Sequence, residues 1–193
     1  MNFLAHLVLS PGGEEIMAGN FFADRVKGQR WKELPDGYAQ GVLLHRRIDH
    51  FVDQHPLVKE AKQFIDPHFG HFRGVLLDVF WDHFLAVQFE THTTYPLVDF
   101  SEEVHSVLDK HASVFHPQAH KLVHAMRQGN WLHGYADLAS LDRILKQMAA
   151  RFPFENPMGE GVQALQARYA DFSQTFSNLW PQMTTEFGLF LKG

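Results

Sequence analysis

The sequence predicts an all-α protein, a compact multi-helix bundle, on three observations. Apolar residues recur at helical spacing along nearly all of the 193 positions, and strand-like alternation is nowhere convincing. Gly and Pro punctuate that pattern at intervals a helix would fill. The chain is 45% apolar and 13% aromatic, with 18 Phe and four Trp, enough to build bulky packing layers.

Taken in order, residues 12–27 read as a first full helix that ends at Gly28. Pro35-Asp36-Gly37 starts a second, which runs to Gln54 and is stopped by His55-Pro56. Residues 57–65 form a short third helix and 69–90 a long fourth one, followed by a polar turn and Pro96. Further helices are expected near 100–114, 117–128, 138–152 and 159–179, with a final segment after Pro181. Asp99, with Glu102 three residues on, offers a capped start to the first of these. No repeat, low-complexity stretch or long linker divides the chain, so residues 1–193 are expected to form one domain.

Composition narrows the chemistry. There is no Cys, which excludes disulfides, thiolate metal sites and a Cys nucleophile. A metal would be held by His and carboxylates, a donor set that suits Mn, Mg, Fe or Zn. The net charge of −5 argues against a general nucleic-acid footprint. The N-terminal stretch has no basic region, its apolar run is short and broken by His6, and no segment is long enough to span a bilayer. A soluble cytoplasmic protein without a membrane partner is the expectation. Fourteen His are dispersed along the chain, so their spacing relative to Asp has to show which of them matter.

The fourth helix, from Gly70 to Ala86, is apolar nearly all round and should be buried. Asp78 and Asp82 nevertheless stand within it, four residues apart on one stripe, with His83 about 100° away from Asp82. Two adjacent buried carboxylates repel and lose hydration, so they call for a cation, an Arg or raised pKa values. Ion pairing to Arg73 is the plainer explanation; a metal site accounts for both carboxylates and the neighbouring His. The second helix repeats the theme: His45, Asp49 and Asp53 spread over only about 80° of its surface, at the rim of the apolar face. The first helix adds Asn20 and Asp24, again four apart, then Lys27. Taken alone, Asn20 reads as a packing amide, Asp24 as a solvated charge and His6 as a core histidine. Arg30, Arg46, Arg47 and Arg73 lie near these groups in sequence and could match phosphate oxygens.

Four blocks, Met1–His6, Gly19–Gly28, Leu44–Pro56 and Asp78–Ala86, together resemble the acyl carrier protein phosphodiesterases. The specific likeness covers about the first ninety residues, leaving 96–193 as additional helices. It implies a divergent relative of the HD-type metal phosphohydrolases, usually manganese-dependent, that acts on holo-acyl carrier protein. The products would be apo-carrier and 4′-phosphopantetheine. The chain contains no His-Asp dipeptide, since Asp49-His50 and Asp82-His83 have the reverse order, so ligands cannot be copied from the standard HD pattern.

The resulting expectation places a divalent metal on His45, Asp49, Asp78, Asp82 and His83, with Asp24 and His6 catalytic. Asn20, Lys27, Arg46, Arg47 and Arg73 would contact substrate. Alanine at Asp78 or Asp82 would then abolish turnover without unfolding the protein. Competing readings are the same chemistry on a small nucleotide or alarmone, a di-iron carboxylate oxidase, and a non-catalytic helical binding module. Glu102-Glu103-Val104-His105 is the single Glu-x-x-His motif considered for the oxidase.

Overall fold

A computed structural model describes residues 1–93 and 96–190. The turn expected before Pro96 and the end of the segment expected after Pro181 lie partly outside these residues. Among the described residues every regular element is helical. In chain order they are α1 (Phe3–Val8), α2 (Glu14–Phe22), α3 (Asp36–Gln54), α4 (Pro56–Ala61), α5 (Phe72–Val87) and α6 (Phe89–His92). Then come α7 (Leu97–Phe115), α8 (Ala119–Gln128), α9 (Trp131–Gly134), α10 (Leu138–Ala149), α11 (Gly161–Ala167) and α12 (Tyr169–Phe187). Short 3₁₀ turns bridge several of them.

The buried side chains form one contiguous cluster running from Met1 to Phe187. Its centre is α5, where Leu76, Val79, Phe80, Trp81 and Leu85 are fully enclosed. That agrees with an apolar surface that leaves no face for solvent. Around it, α1 packs on α2 and α5, α12 on α4 and α5, and α7 on α2 and α8.

The tightest pairing, α2 on α3, rests on two glycines. A Cβ on Gly41 would stand 2.7 Å from both Gly19 Cα and the Asn20 nitrogen, and closer still to the Ile16 carbonyl. A Cβ on Gly19 would run into Tyr38 O and stand 3.0 Å from Gly41 Cα. Only residues without a Cβ let these backbones touch.

Several expected boundaries move. The first helix ends at Phe22 and passes into a 3₁₀ turn over Ala23–Arg25 rather than running on to Lys27. The N-terminal stretch, expected only to be apolar, is the separate helix α1. α7 starts at Leu97 behind Pro96 with no side-chain cap, so Asp99 lies inside its first turn instead of capping it. The helix expected over 159–179 is broken at Arg168 into α11 and α12. Beyond that break α12 runs straight through Pro181. Proline is tolerated there because Pro181 faces outward while Trp180, Met183 and Phe187 hold the helix to the core.

Candidate metal centre and active site

The close contact of α2 with α3 brings Asn20 beside His45, and α1 lays His6 across both. Asn20 is completely buried and all of its hydrogen-bonding groups are engaged. Its amide nitrogen donates to His6 O and to Ser10 Oγ, each at 2.8 Å, which leaves Oδ1 as the acceptor. That oxygen faces His6 Nδ1 at 2.8 Å and His45 Nδ1 at 3.2 Å. An acceptor oxygen requires N–H on each Nδ1, so in the neutral rings Nε2 carries the lone pair. The two imidazoles stack with centroids 4.1 Å apart.

Both Nε2 atoms point at one carboxylate. His6 Nε2 lies 3.1 Å from Asp49 Oδ1, and His45 Nε2 lies 3.1 Å from Asp49 Oδ2. Lone pairs facing a carboxylate repel unless a proton or a cation stands between them. Burial disfavours protonating His45, but Asp24 and Asp49 outweigh it and push the ring up to about 9, so one proton is supplied. Burial drives His6 down to about 4, so at neutral pH its Nε2 lone pair is left against Asp49. Burial opposes ionisation of Asp49, yet the hydrogen bond from the protonated His45 holds its carboxyl well below the usual range. One donor atom from each of His6, His45 and Asp49 lies within 4.8 Å of the others. Two imidazole nitrogens of fixed tautomer and a carboxylate fit a divalent ion.

His45 and Asp49 line a polar cavity of about 280 Å³, to which Met1, Asn2, Asp24, Asp53, Asp78 and Met148 also contribute, while His6 lies behind them in the interior. Four carboxylates converge there against His45 and the Met1 amine. The amine is 2.9 Å from Asp78 Oδ1 and 3.8 Å from Asp49 Oδ1. Burial lowers its pKa, but those two carboxylates outweigh the effect and raise it. Burial also raises Asp78, although the amine opposes that. Asp24, mostly exposed at the mouth, stands 3.6 Å from His45 Nε2 and is held below the usual carboxylate range by that histidine.

Other expected site residues are placed elsewhere. Asp82 is fully buried and accepts the backbone N–H groups of Leu4 at 2.7 Å and Ala5 at 3.1 Å. It therefore anchors the first turn of α1, whose N–H groups have no partner within the helix, and it does not line the polar cavity. Burial pushes it up to about 7 against those two bonds. The ring of His83 is committed on both sides, Nδ1 to Tyr135 O at 2.7 Å and Nε2 to Tyr169 Oη at 2.9 Å. The helical rotation of one residue from Asp82 has turned it away from the polar cavity.

His6, expected to be a catalytic acid, has its ring held between Asn20 and Asp49, in a group of donors that could hold a metal ion. Asn20, expected to touch substrate, instead orients the two imidazoles from beneath. Arg46 donates to Val26 O, Arg47 pairs with Glu186, and Arg73 donates to Gly70 O, so none of the three lines the cavity. Following His45 directly in a helix turns Arg46 and Arg47 to other faces. Lys27 lies in an adjoining groove of about 570 Å³ with Arg25, Arg30 and Phe115, and Asp24 is common to groove and cavity.

Sequence reasoning did not find Asn2, Met148 or the Met1 amine, which long-range folding brings in. Asp53 was visible on the His45–Asp49 stripe.

The profile of one family, described as acyl carrier protein phosphodiesterase, matches residues 1–183. The chain is 33% identical over 184 residues to the acyl carrier protein phosphodiesterase of Photorhabdus laumondii, covering 95% of this chain and 93% of that one. A protein of the same name from Enterobacter sp. is 32% identical over 187 residues, covering 96% and 97%. Another from Yersinia pestis is 32% identical over 186 residues, covering 95% of each chain. No solved structure gives a significant match. With both histidines, their asparagine and their aspartate inside the matched span, this chain belongs to the acyl carrier protein phosphodiesterase family.

Proposed function

We propose that the protein hydrolyses the phosphodiester of holo-acyl carrier protein, releasing 4′-phosphopantetheine and apo-carrier. The observation that carries this reading is the His6–His45–Asp49 donor set, of which His45 and Asp49 line an acidic cavity, in a chain of this family. His6, His45 and Asp49 would hold one divalent ion, with Asp78 across the same cavity. Manganese is the ion we propose, with magnesium, iron or zinc as the alternatives. Such an ion, when bound, supplies Lewis-acid activation of water and offsets the charge of the phosphate.

The chain's own groups do the rest. Asn20 keeps both imidazoles in the donor tautomer. Asp24, exposed beside His45, is placed to orient a water for in-line attack. The water oxygen joins phosphorus, the bond to the carrier serine oxygen breaks, and a proton ends on that oxygen. Acyl carrier proteins are acidic, whereas this chain is itself net negative, so docking calls for a local basic surface. Arg25, Lys27 and Arg30 around the groove that opens from Asp24 provide one.

The reading takes the chain as one domain, in which the later helices wall the site through Met148. It also takes the protein as cytoplasmic; no helix among the described residues is long and apolar enough to cross a membrane.

Intact mass of holo-carrier, incubated with the protein and manganese with and without chelator, tests the reaction. Loss of the phosphopantetheine mass that chelator prevents is the expected result. Unchanged carrier in the presence of folded protein and manganese would reject it in favour of a nucleotide substrate.

A further inference from the structure

We propose that a small apolar notch beside the polar cavity receives the branched carbon of the pantoyl group, the part of 4′-phosphopantetheine nearest its phosphate. This rests on the phosphodiesterase reading above. The notch has a volume of about 50 Å³; Phe3, Trp131, Tyr135 and Ile144 supply its apolar walls, and Gln147 and Arg151, the latter over the Trp131 ring, also line it. Asn2 and Met148 line both the notch and the polar cavity, so the two spaces adjoin. A water-sized group needs on the order of 10–15 Å³ of such space, so the notch has room for roughly four heavy atoms.

That is too little for the whole pantetheine arm and enough for one compact branch. In 4′-phosphopantetheine one methylene separates the ester oxygen from a quaternary carbon bearing two methyl groups. A phosphate in the polar cavity therefore brings those methyls to the adjoining space, whereas the thiol end lies many bonds further along. The carbon after the quaternary one bears a hydroxyl, and the notch offers a group to meet it. Tyr135 is 1% exposed, and its phenol oxygen accepts the Asn2 amide at 3.0 Å. Its own proton has no acceptor among the described residues. Burial raises this phenol well above its ordinary value, which keeps the proton in place to be donated.

The test is calorimetric titration of the full chain with 4′-phosphopantetheine and with an analogue whose quaternary carbon is a plain methylene. The wild type should bind the natural compound at least roughly tenfold more tightly, the scale expected for two methyl groups in a fitted apolar pocket. Ile144→Trp fills the notch and should remove most of that preference while leaving affinity for the analogue. Ile144→Ala, a milder change should the tryptophan not fold, should reduce the preference by enlarging the space. Tyr135→Phe should weaken both compounds alike, about three- to tenfold. Equal affinity of the wild type for the two compounds, binding of neither, or a preference untouched by the Ile144 variants would overturn the notch. Failure of the phosphodiesterase reading shows separately, as holo-carrier left intact by the same preparation.

Discussion

Asn20 shows how one side chain can settle the chemistry of two others. With its nitrogen spent on His6 O and Ser10 Oγ, its oxygen fixes which nitrogen of each imidazole is protonated. Partners beneath metal-binding histidines typically account for 10–100-fold in metal affinity. Asn20→Ala should therefore weaken manganese binding by about that factor, measured by calorimetry; wild-type affinity in the variant would deny Asn20 an orienting role. Asp82 makes the opposite point, because a buried carboxylate that looks like a ligand is a structural anchor. Asp82→Ala leaves two buried N–H groups on α1 without partners, a loss of about 1–3 kcal/mol for each. Urea unfolding should register that loss. Asp24→Ala, at an exposed position, should lower turnover with a stability change within about 0.5 kcal/mol.

Among the elements, the crossing of α2 and α3 decides the geometry of the centre. Asn20 follows Gly19 directly, and His45 lies one helical turn beyond Gly41. A methyl on Gly41 must push Ile16 and Asn20 away, and so must separate Asn20 Oδ1 from His45 Nδ1. Gly41→Ala should cost about 1–3 kcal/mol of stability. It should also reduce kcat/KM for holo-carrier under conditions where the variant is still fully folded. Full activity in a destabilised Gly41→Ala protein would show that the helix spacing does not set the site. The existence of these helices was legible from apolar periodicity, and so was the stripe of His45, Asp49 and Asp53. The break at Arg168 and the passage through Pro181 were not, because local propensity cannot weigh the core contacts of Phe172, Trp180 and Met183 against one missing N–H.

For the whole molecule, stability against pH is a sum of opposed titrations. Asp82, raised by burial, favours the folded state in acid, whereas His83, His92 and His105, lowered by burial, disfavour it there. A histidine with a depressed folded pKa contributes fully above about 6.5 and loses that contribution as pH falls, because the unfolded chain takes up the proton first. His105 isolates the effect, being 3% exposed with neither ring nitrogen hydrogen-bonded among the described residues. His105→Phe should stabilise the protein, and the gain should grow between pH 7.5 and 5.5 in paired urea titrations. A gain independent of pH would mean that His105 is not held neutral.

The sequence by itself determined the all-helical class, the burial of α5, the absence of thiolate chemistry and the family. It also brought forward His45, Asp49 and Asp78, because their spacing along single helices is a local property. Only the tertiary structure decided which carboxylates face the cavity and which hold the fold together. Asp78 and Asp82 share a stripe, yet one meets the cavity and the other the start of α1, a choice made by what packs against each end of that stripe. The same holds for Asn2, Tyr135 and Met148, which reach the site from segments far apart in the chain. Periodicity records which face of a helix is apolar; it carries no information about which distant segment will cover that face.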